Sequence, residues 1–138
     1  MSNNEFGKYL SNINRDFIKF SEPNLAEFNL TMTMWRCMMI INKADNSCNL
    51  KHIAVELNVD NAIITRNIKK LESLDYIEKK VQKNDNRFFE LHLTEEGIKV
   101  LQRVNQLQKQ WYSKITSGLN EDEITMLLNL LSRLCENI

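Results

Sequence analysis

With 138 residues, 43% of them hydrophobic and 26% charged, the chain has material for one domain around one core of modest size. Eighteen basic and eighteen acidic residues cancel, which argues against a protein that merely coats nucleic acid. No apolar run approaches the roughly 20 residues that span a bilayer, and the first residues carry no signal-peptide pattern. Cys37, Cys48 and Cys135 are an odd set without metal-ligand spacing, so reduced thiols in the cytoplasm are expected.

In chain order, Tyr9, Ile13, Phe17 and Phe20, widened by Leu10 and Ile18, form one helical stripe. The spacing predicts a helix over about 5–20, stopped at Ser21-Glu22-Pro23 because the residue before proline is pushed out of the helical region. The C-terminal helices are its expected partner. Thr31 is an N-cap candidate for a second helix through Trp35, Met38, Met39 and Ile41 to Asn42, at the centre of the core. A short helix over 50–57 buries Leu50, Ile53, Ala54 and Leu57. Three residues, Asn58-Val59-Asp60, then separate it from a helix over 61–74 with Ile64, Ile68 and Leu71 on its buried face. Two short helices on so tight a turn read as a helix-turn-helix.

The second helix of that pair carries Asn61, Thr65, Arg66, Lys69 and Lys70 on its other faces, with the small Ala62 beside them. Asn61, Thr65 and Arg66 lie in the N-terminal half, the part that reaches base edges in such motifs, and Lys69 and Lys70 suit phosphates. Lys51 and His52, opening the preceding helix, suit phosphates too. Between Asn61 and Arg87 there are seven bases against four acids. That local excess fits a sequence-selective, salt-dependent binder, and it equally fits a solvated surface. Ile77, Lys79 and Val81 alternate with Tyr76, Glu78 and Lys80, and Phe89, Leu91 and Leu93 with Phe88, Glu90 and His92, around the polar tip Lys83-Asn84-Asp85-Asn86. This is a two-stranded hairpin, hence a wing. Arg87 beside Asp85 suits a narrow, electronegative minor groove, with Asp85 orienting the guanidinium. His92, opposite Leu91 and Leu93, reads as a surface histidine.

Thr94 is an N-cap candidate for a long helix to about 116, on the repeat of Ile98, Leu101, Val104, Trp111 and Ile115. Gly97 in its first turn costs about 1 kcal/mol of helix propensity, which close backbone packing would offset. Gly118 breaks the chain, and Asn120 with Glu123 resembles a capping box. The last helix holds Ile124, Leu127, Leu128, Leu130, Leu131, Leu134 and Ile138, apolar over more than one face. Such a helix packs against a second copy or folds back onto its own core; a two-fold dimer through the N- and C-terminal helices is the expectation. A two-fold axis would set two recognition helices about 34 Å apart on a pseudo-palindromic site.

No enzymatic constellation is present. Three scattered glycines make no phosphate-cradling loop, and His52 and His92 sit in no Cys/His cluster. Neither a cofactor nor a metal is expected.

The run Leu57-Asn58-Val59-Asp60-Asn61-Ala62-Ile63-Ile64-Thr65-Arg66, then Leu71-Glu72-Ser73-Leu74-Asp75-Tyr76-Ile77, resembles the multiple-antibiotic-resistance regulator (MarR) family of winged-helix transcription factors. Asp85-x-Arg87 followed by Leu93-Thr94-Glu95-Glu96-Gly97 is similar to that family's wing signature and the start of its fifth helix, and Leu30-Thr31-x-Thr33-x-Trp35 to the second helix of the SlyA-type branch. The chain departs from the pattern at Asp75, where the family usually has glycine, and at Asn86, where it usually has a second arginine. The resemblance implies a mainly α fold with a small β wing: one winged-helix chain over 1–138, with a DNA-binding lobe over 30–93 and dimerisation helices over 1–22 and 95–138. It also implies a homodimeric transcriptional regulator on double-stranded DNA. A small aromatic or phenolic effector would lie between the dimer helices and the lobe, where Phe17, Trp35, Met38 and Met39 are candidates. A winged-helix module that binds another protein is the alternative from a different class.

Overall fold

The computed structural model describes residues 3–44, 48–82 and 85–138, with residues 82 and 85–88 as backbone alone. Six helices and one two-stranded antiparallel sheet follow in the order α1 (Asn3–Ala26), α2 (Met32–Lys43), α3 (Leu50–Leu57), α4 (Asn61–Ser73), β1 (Ile77–Gln82), β2 (Asp85–Leu93), α5 (Glu95–Ile115) and α6 (Glu121–Cys135). The expected fold class, mainly α with a small β wing on a helix-turn-helix, is what the chain forms.

Side-chain caps open α2, α3, α5 and α6: Thr31, Asn49, Thr94 and Asn120 each accept a backbone N–H from the first turn. At α6 the Glu123 side chain returns the bond to the Asn120 N–H, completing the capping box. The end of α1 differs from expectation. The helix runs through Pro23 to Ala26, because Ser21 and Leu25 are fully buried and Asn24 Nδ2 braces the last turn on the Phe20 carbonyl at 3.0 Å. Burial of Leu25 outweighs the local preference before proline. The true stop is Asn29, whose left-handed backbone (φ 59°) lets Leu30 N–H reach back to the Leu25 carbonyl at 3.0 Å.

The core is built by α2 with the helix-turn-helix and the base of the wing. Leu25, Met38, Cys37, Cys48, Ile53, Ile64, Ile68, Leu71, Leu91 and Val104 are among its fully enclosed members, and Leu50, Leu57 and Phe89 pack around them. Antiparallel register pairs Ile77 with Leu93 and Lys79 with Leu91, so Ile77 and Leu91 face inward together. A register shift between Val81 and Gln82 aligns Gln82 with Asp85, so β2 begins inside the polar tip that the alternation assigned to a loop. His92 is also less open than expected. Its side chain is 16% exposed with Nε2 3.2 Å from Glu90, because strand pairing sets it across from Glu78.

Asp75 sits at φ 60°, which accounts for glycine being usual there in the resembling family and for a short polar residue serving in its place.

Cys37 and Cys48 are both enclosed. Burial pushes each thiol up to about 11 from its ordinary value of 9.0, with the charge of Cys48 adding at Cys37 and that of Glu56 adding at Cys48. Thiols held neutral are poor nucleophiles. In a Cys135→Ser variant, Ellman's reagent at neutral pH is expected to label nothing until denaturant is added, and two thiols per chain afterwards; rapid labelling of the native variant would contradict the packing. Because the folded state holds these protons more tightly than the unfolded chain, their contribution to stability is complete below pH 9 and is lost as pH rises towards 11.

Candidate nucleic-acid interface

Helix α4 is held by one face and open on the other. Ile64, Ile68 and Leu71 are enclosed, and at 100° per residue Ala62, Arg66 and Lys69 fall on the opposite stripe. Asn61, Ala62, Arg66, Lys69 and Lys70 are all exposed, and Thr65 is half-buried at the edge. The turn before α4 relies on Asn58, whose backbone is left-handed at φ 53° and whose N–H caps α3 on the Ala54 and Val55 carbonyls. Asp60 stands at the N-cap of α4 without a side-chain cap bond. The sequence-predicted residues of α4 are thus brought together on one surface. Lys51 and His52 lie exposed at the start of α3, with His52 Nε2 3.2 Å from Glu56 rather than free. Lys83 and the side chains of Asp85 and Arg87 lie outside the described residues.

Charge is distributed less evenly than the sequence count implies. Lys79 Nζ is 3.3 Å from Glu72 on α4 and 4.7 Å from the centroid of the Phe89 ring. Lys80 is 3.6 Å from Glu78. Half-exposed pairs of this kind contribute about 0.2–1 kcal/mol each, so their importance is geometric: Glu72 and Lys79 link β1 to the last turn of α4. Among the described residues of α4, β1 and β2, the lysines and arginines without an ion-pair partner are Arg66, Lys69 and Lys70, all on α4. Glu72 escaped sequence reasoning because a cross-element pair leaves no periodic trace.

The residues proposed for an effector lie where α1, α2 and α5 meet. Phe17 stands between the two tryptophans, its ring centroid 6.2 Å from Trp35 and 5.0 Å from Trp111 in an edge-on contact. Trp35 Nε1 donates to Asn105 Oδ1 at 3.2 Å, Trp111 Nε1 to Asp16 Oδ2 at 2.9 Å, and Ser21 Oγ to Gln108 Oε1 at 3.2 Å. Gln108 Nε2 is enclosed without a partner. Met38 is fully buried and Met39 half-buried in the core. Asn105 and Gln108 were not anticipated, although two amides on the inward face of an apolar stripe are the signal that finds them.

At the far end, α6 contributes no buried residue. Met126, Leu127, Leu128, Leu130, Leu131 and Leu134 stand exposed along it, with Phe6, Tyr9, Leu10 and Ile13 exposed on the first half of α1. The C-terminal helices therefore cover only the second half of the α1 stripe, through α5. No helix among the described residues is long and apolar enough to cross a membrane.

Comparison with known proteins agrees with this geometry. The MarR family model matches residues 30–88. The HTH-type transcriptional regulator BilQ of Clostridioides difficile is 32% identical over 122 residues, covering 88% of this chain and 82% of that protein. The HTH-type transcriptional regulator SarZ of Staphylococcus haemolyticus is 26% identical over 123 residues, covering 89% and 82%. Among solved structures, a MarR transcriptional regulator from Methanosarcina mazei superposes with a TM-score of 0.83 at 19% identity over 97% of this chain and 96% of that one. A mutant MarR from E. coli, complexed with operator DNA, superposes with a TM-score of 0.77 at 22% identity over 94% and 93%. A helix-turn-helix with a wing, terminal helices left uncovered and relatives at this level of identity and coverage lead to one conclusion: the chain belongs to the MarR family of winged-helix transcriptional regulators.

Proposed function

We propose that this regulator works as a homodimer that binds a pseudo-palindromic DNA operator in the cytoplasm and releases or retains it according to a small aromatic or phenolic effector. The observation that carries the DNA reading is the exposed stripe of α4, where Arg66, Lys69 and Lys70 have no protein partner among the described residues. Asn61, Ala62, Thr65 and Arg66 face base edges in the major groove, Lys69 and Lys70 the phosphates, and the wing residues Lys83, Asp85 and Arg87 the neighbouring minor groove. The uncovered apolar surface of α1 and α6 supports the dimer, since exposed patches of this extent mark interaction surfaces. The junction of Phe17, Trp35 and Trp111 beside the partnerless Gln108 Nε2 supports the effector, with Met38 and Met39 behind it on α2.

The test is binding to duplex DNA, beginning with the chain's own upstream region. Arg66→Ala is expected to weaken specific binding by about 1–3 kcal/mol and to relax the preference at one base position per half-site. Lys70→Ala should weaken binding to all sequences alike and reduce the salt slope by about 1. If wild type shows no preference for any duplex over random competitor, or Arg66→Ala changes nothing, the chain is a protein-binding winged-helix module instead.

A further inference from the structure

Three polar side chains of α4 fold back onto their own helix: Thr65 Oγ1 donates to the Asn61 carbonyl at 2.9 Å, Asn67 Nδ2 to the Ile63 carbonyl at 2.8 Å, and Ser73 Oγ to the Lys70 carbonyl at 2.6 Å. Asn67 lies towards the buried flank and Ser73 at the far end of the helix. Thr65 is different, because it borders the open stripe one residue before Arg66, in the half of α4 that meets bases. A hydroxyl has one proton, and here the helix has taken it. What Thr65 has left to offer is therefore an oxygen that only accepts and a methyl group, the reverse of the donor-only guanidinium beside it.

We propose that Thr65 is a specificity-determining residue that reads thymine through the C5-methyl group, at a position next to the base that Arg66 contacts. The inference rests on the DNA reading above and deepens it. In the major groove guanine offers two acceptors, O6 and N7, which match Arg66 and leave nothing apolar for Thr65, whereas thymine carries one acceptor, O4, and beside it a C5-methyl that packs against the methyl of Thr65. The bond to Asn61 also holds the side chain in one rotamer, so the methyl is positioned before DNA arrives and no ordering cost falls on binding. Adjacent residues of different chemistry thus favour different bases.

The experiment selects duplexes from a random pool with wild type, then replaces each thymine of the enriched site by uracil, which removes only the methyl. At one position per half-site, uracil is expected to weaken wild-type binding roughly fivefold or more. Thr65→Val keeps the methyl without the hydroxyl and should keep that sensitivity, while Thr65→Ser keeps the hydroxyl without the methyl and should bind thymine and uracil sites equally. Thermal melting of both variants controls for folding. If Thr65→Ser still distinguishes uracil, or Thr65→Val loses the distinction, the Thr65 methyl is not the reader and the proposal is wrong. A wild type that enriches no sequence overturns the DNA reading and this inference with it; one that enriches a site but ignores every uracil overturns this inference alone.

Discussion

Gly97→Ala is expected to destabilise the fold by about 3 kcal/mol, with Gly118→Ala neutral or slightly stabilising beside it. A Cβ on Gly97 would lie on the Tyr76 carbonyl oxygen and 2.8 Å from the carbonyl carbon, and both are backbone atoms that no rotamer change can move. That carbonyl also accepts the Thr94 N–H at 3.0 Å, while Thr94 Oγ1 caps the Gly97 N–H at 2.9 Å and the Tyr76 hydroxyl donates to the Phe28 carbonyl at 2.9 Å. The methyl must therefore push the start of α5 off the wing and open a junction that also holds the α1–α2 loop. Overpacking of this kind costs about 1–3 kcal/mol, and a buried carbonyl stripped of its partner adds about 1–3 kcal/mol. An added Cβ on Gly118 meets nothing within 4 Å, so only the entropy of the unfolded chain changes, by about 0.4–1 kcal/mol in favour of the fold. Urea denaturation at one protein concentration measures both, and equal midpoints for Gly97→Ala and wild type would refute the packing argument.

Gly97 shows how far the sequence could be read. A helix-breaking residue in the first turn of a strongly periodic helix announces a close approach, but not which backbone approaches. The helices with apolar stripes and capping residues were legible to within a few residues, since burial and caps are local, periodic signals. Failures came where tertiary contacts overrode a local rule. Pro23 did not end α1 because Leu25 had a core to enter, and the tip of the wing shortened because pairing extended to Asp85. The outward residues of α4 were legible as the complement of its buried face. Their electrostatic isolation was not: counting treated Lys79 and Arg66 alike, whereas only the fold brings Glu72 to Lys79 and leaves Arg66 alone. The partners of the α5 amides were hidden for the same reason, because Trp35 and Ser21 lie 70 and 87 residues away.

Leu127→Glu combined with Leu131→Glu is expected to turn the protein into a monomer and to lower its affinity for an enriched palindromic duplex by roughly a hundredfold to ten-thousandfold, the range that a second linked site contributes. In the isolated chain these leucines are 41% and 37% exposed, so glutamate there removes little intrachain packing. Far-UV circular dichroism should change little. Their whole effect must come through whatever covers them, which separates two readings of α6. If α6 closed onto its own core, two buried charges would unfold the chain, since an unpaired buried charge costs far more than any single contact here. If α6 joins α6 and α1 of a second copy, the chain stays folded, sediments as a monomer, and keeps the weak affinity of one recognition helix for one half-site. Arg66→Ala in this background should then weaken half-site binding by the same free energy per contact as one protomer's share of its effect in the dimer, because the α4 surface and the α6 surface share no residues and distant sites add. A double variant that still sediments as a dimer, or a monomer that binds the full operator as tightly as wild type, would mean that affinity does not arise from two helices held in register by α6.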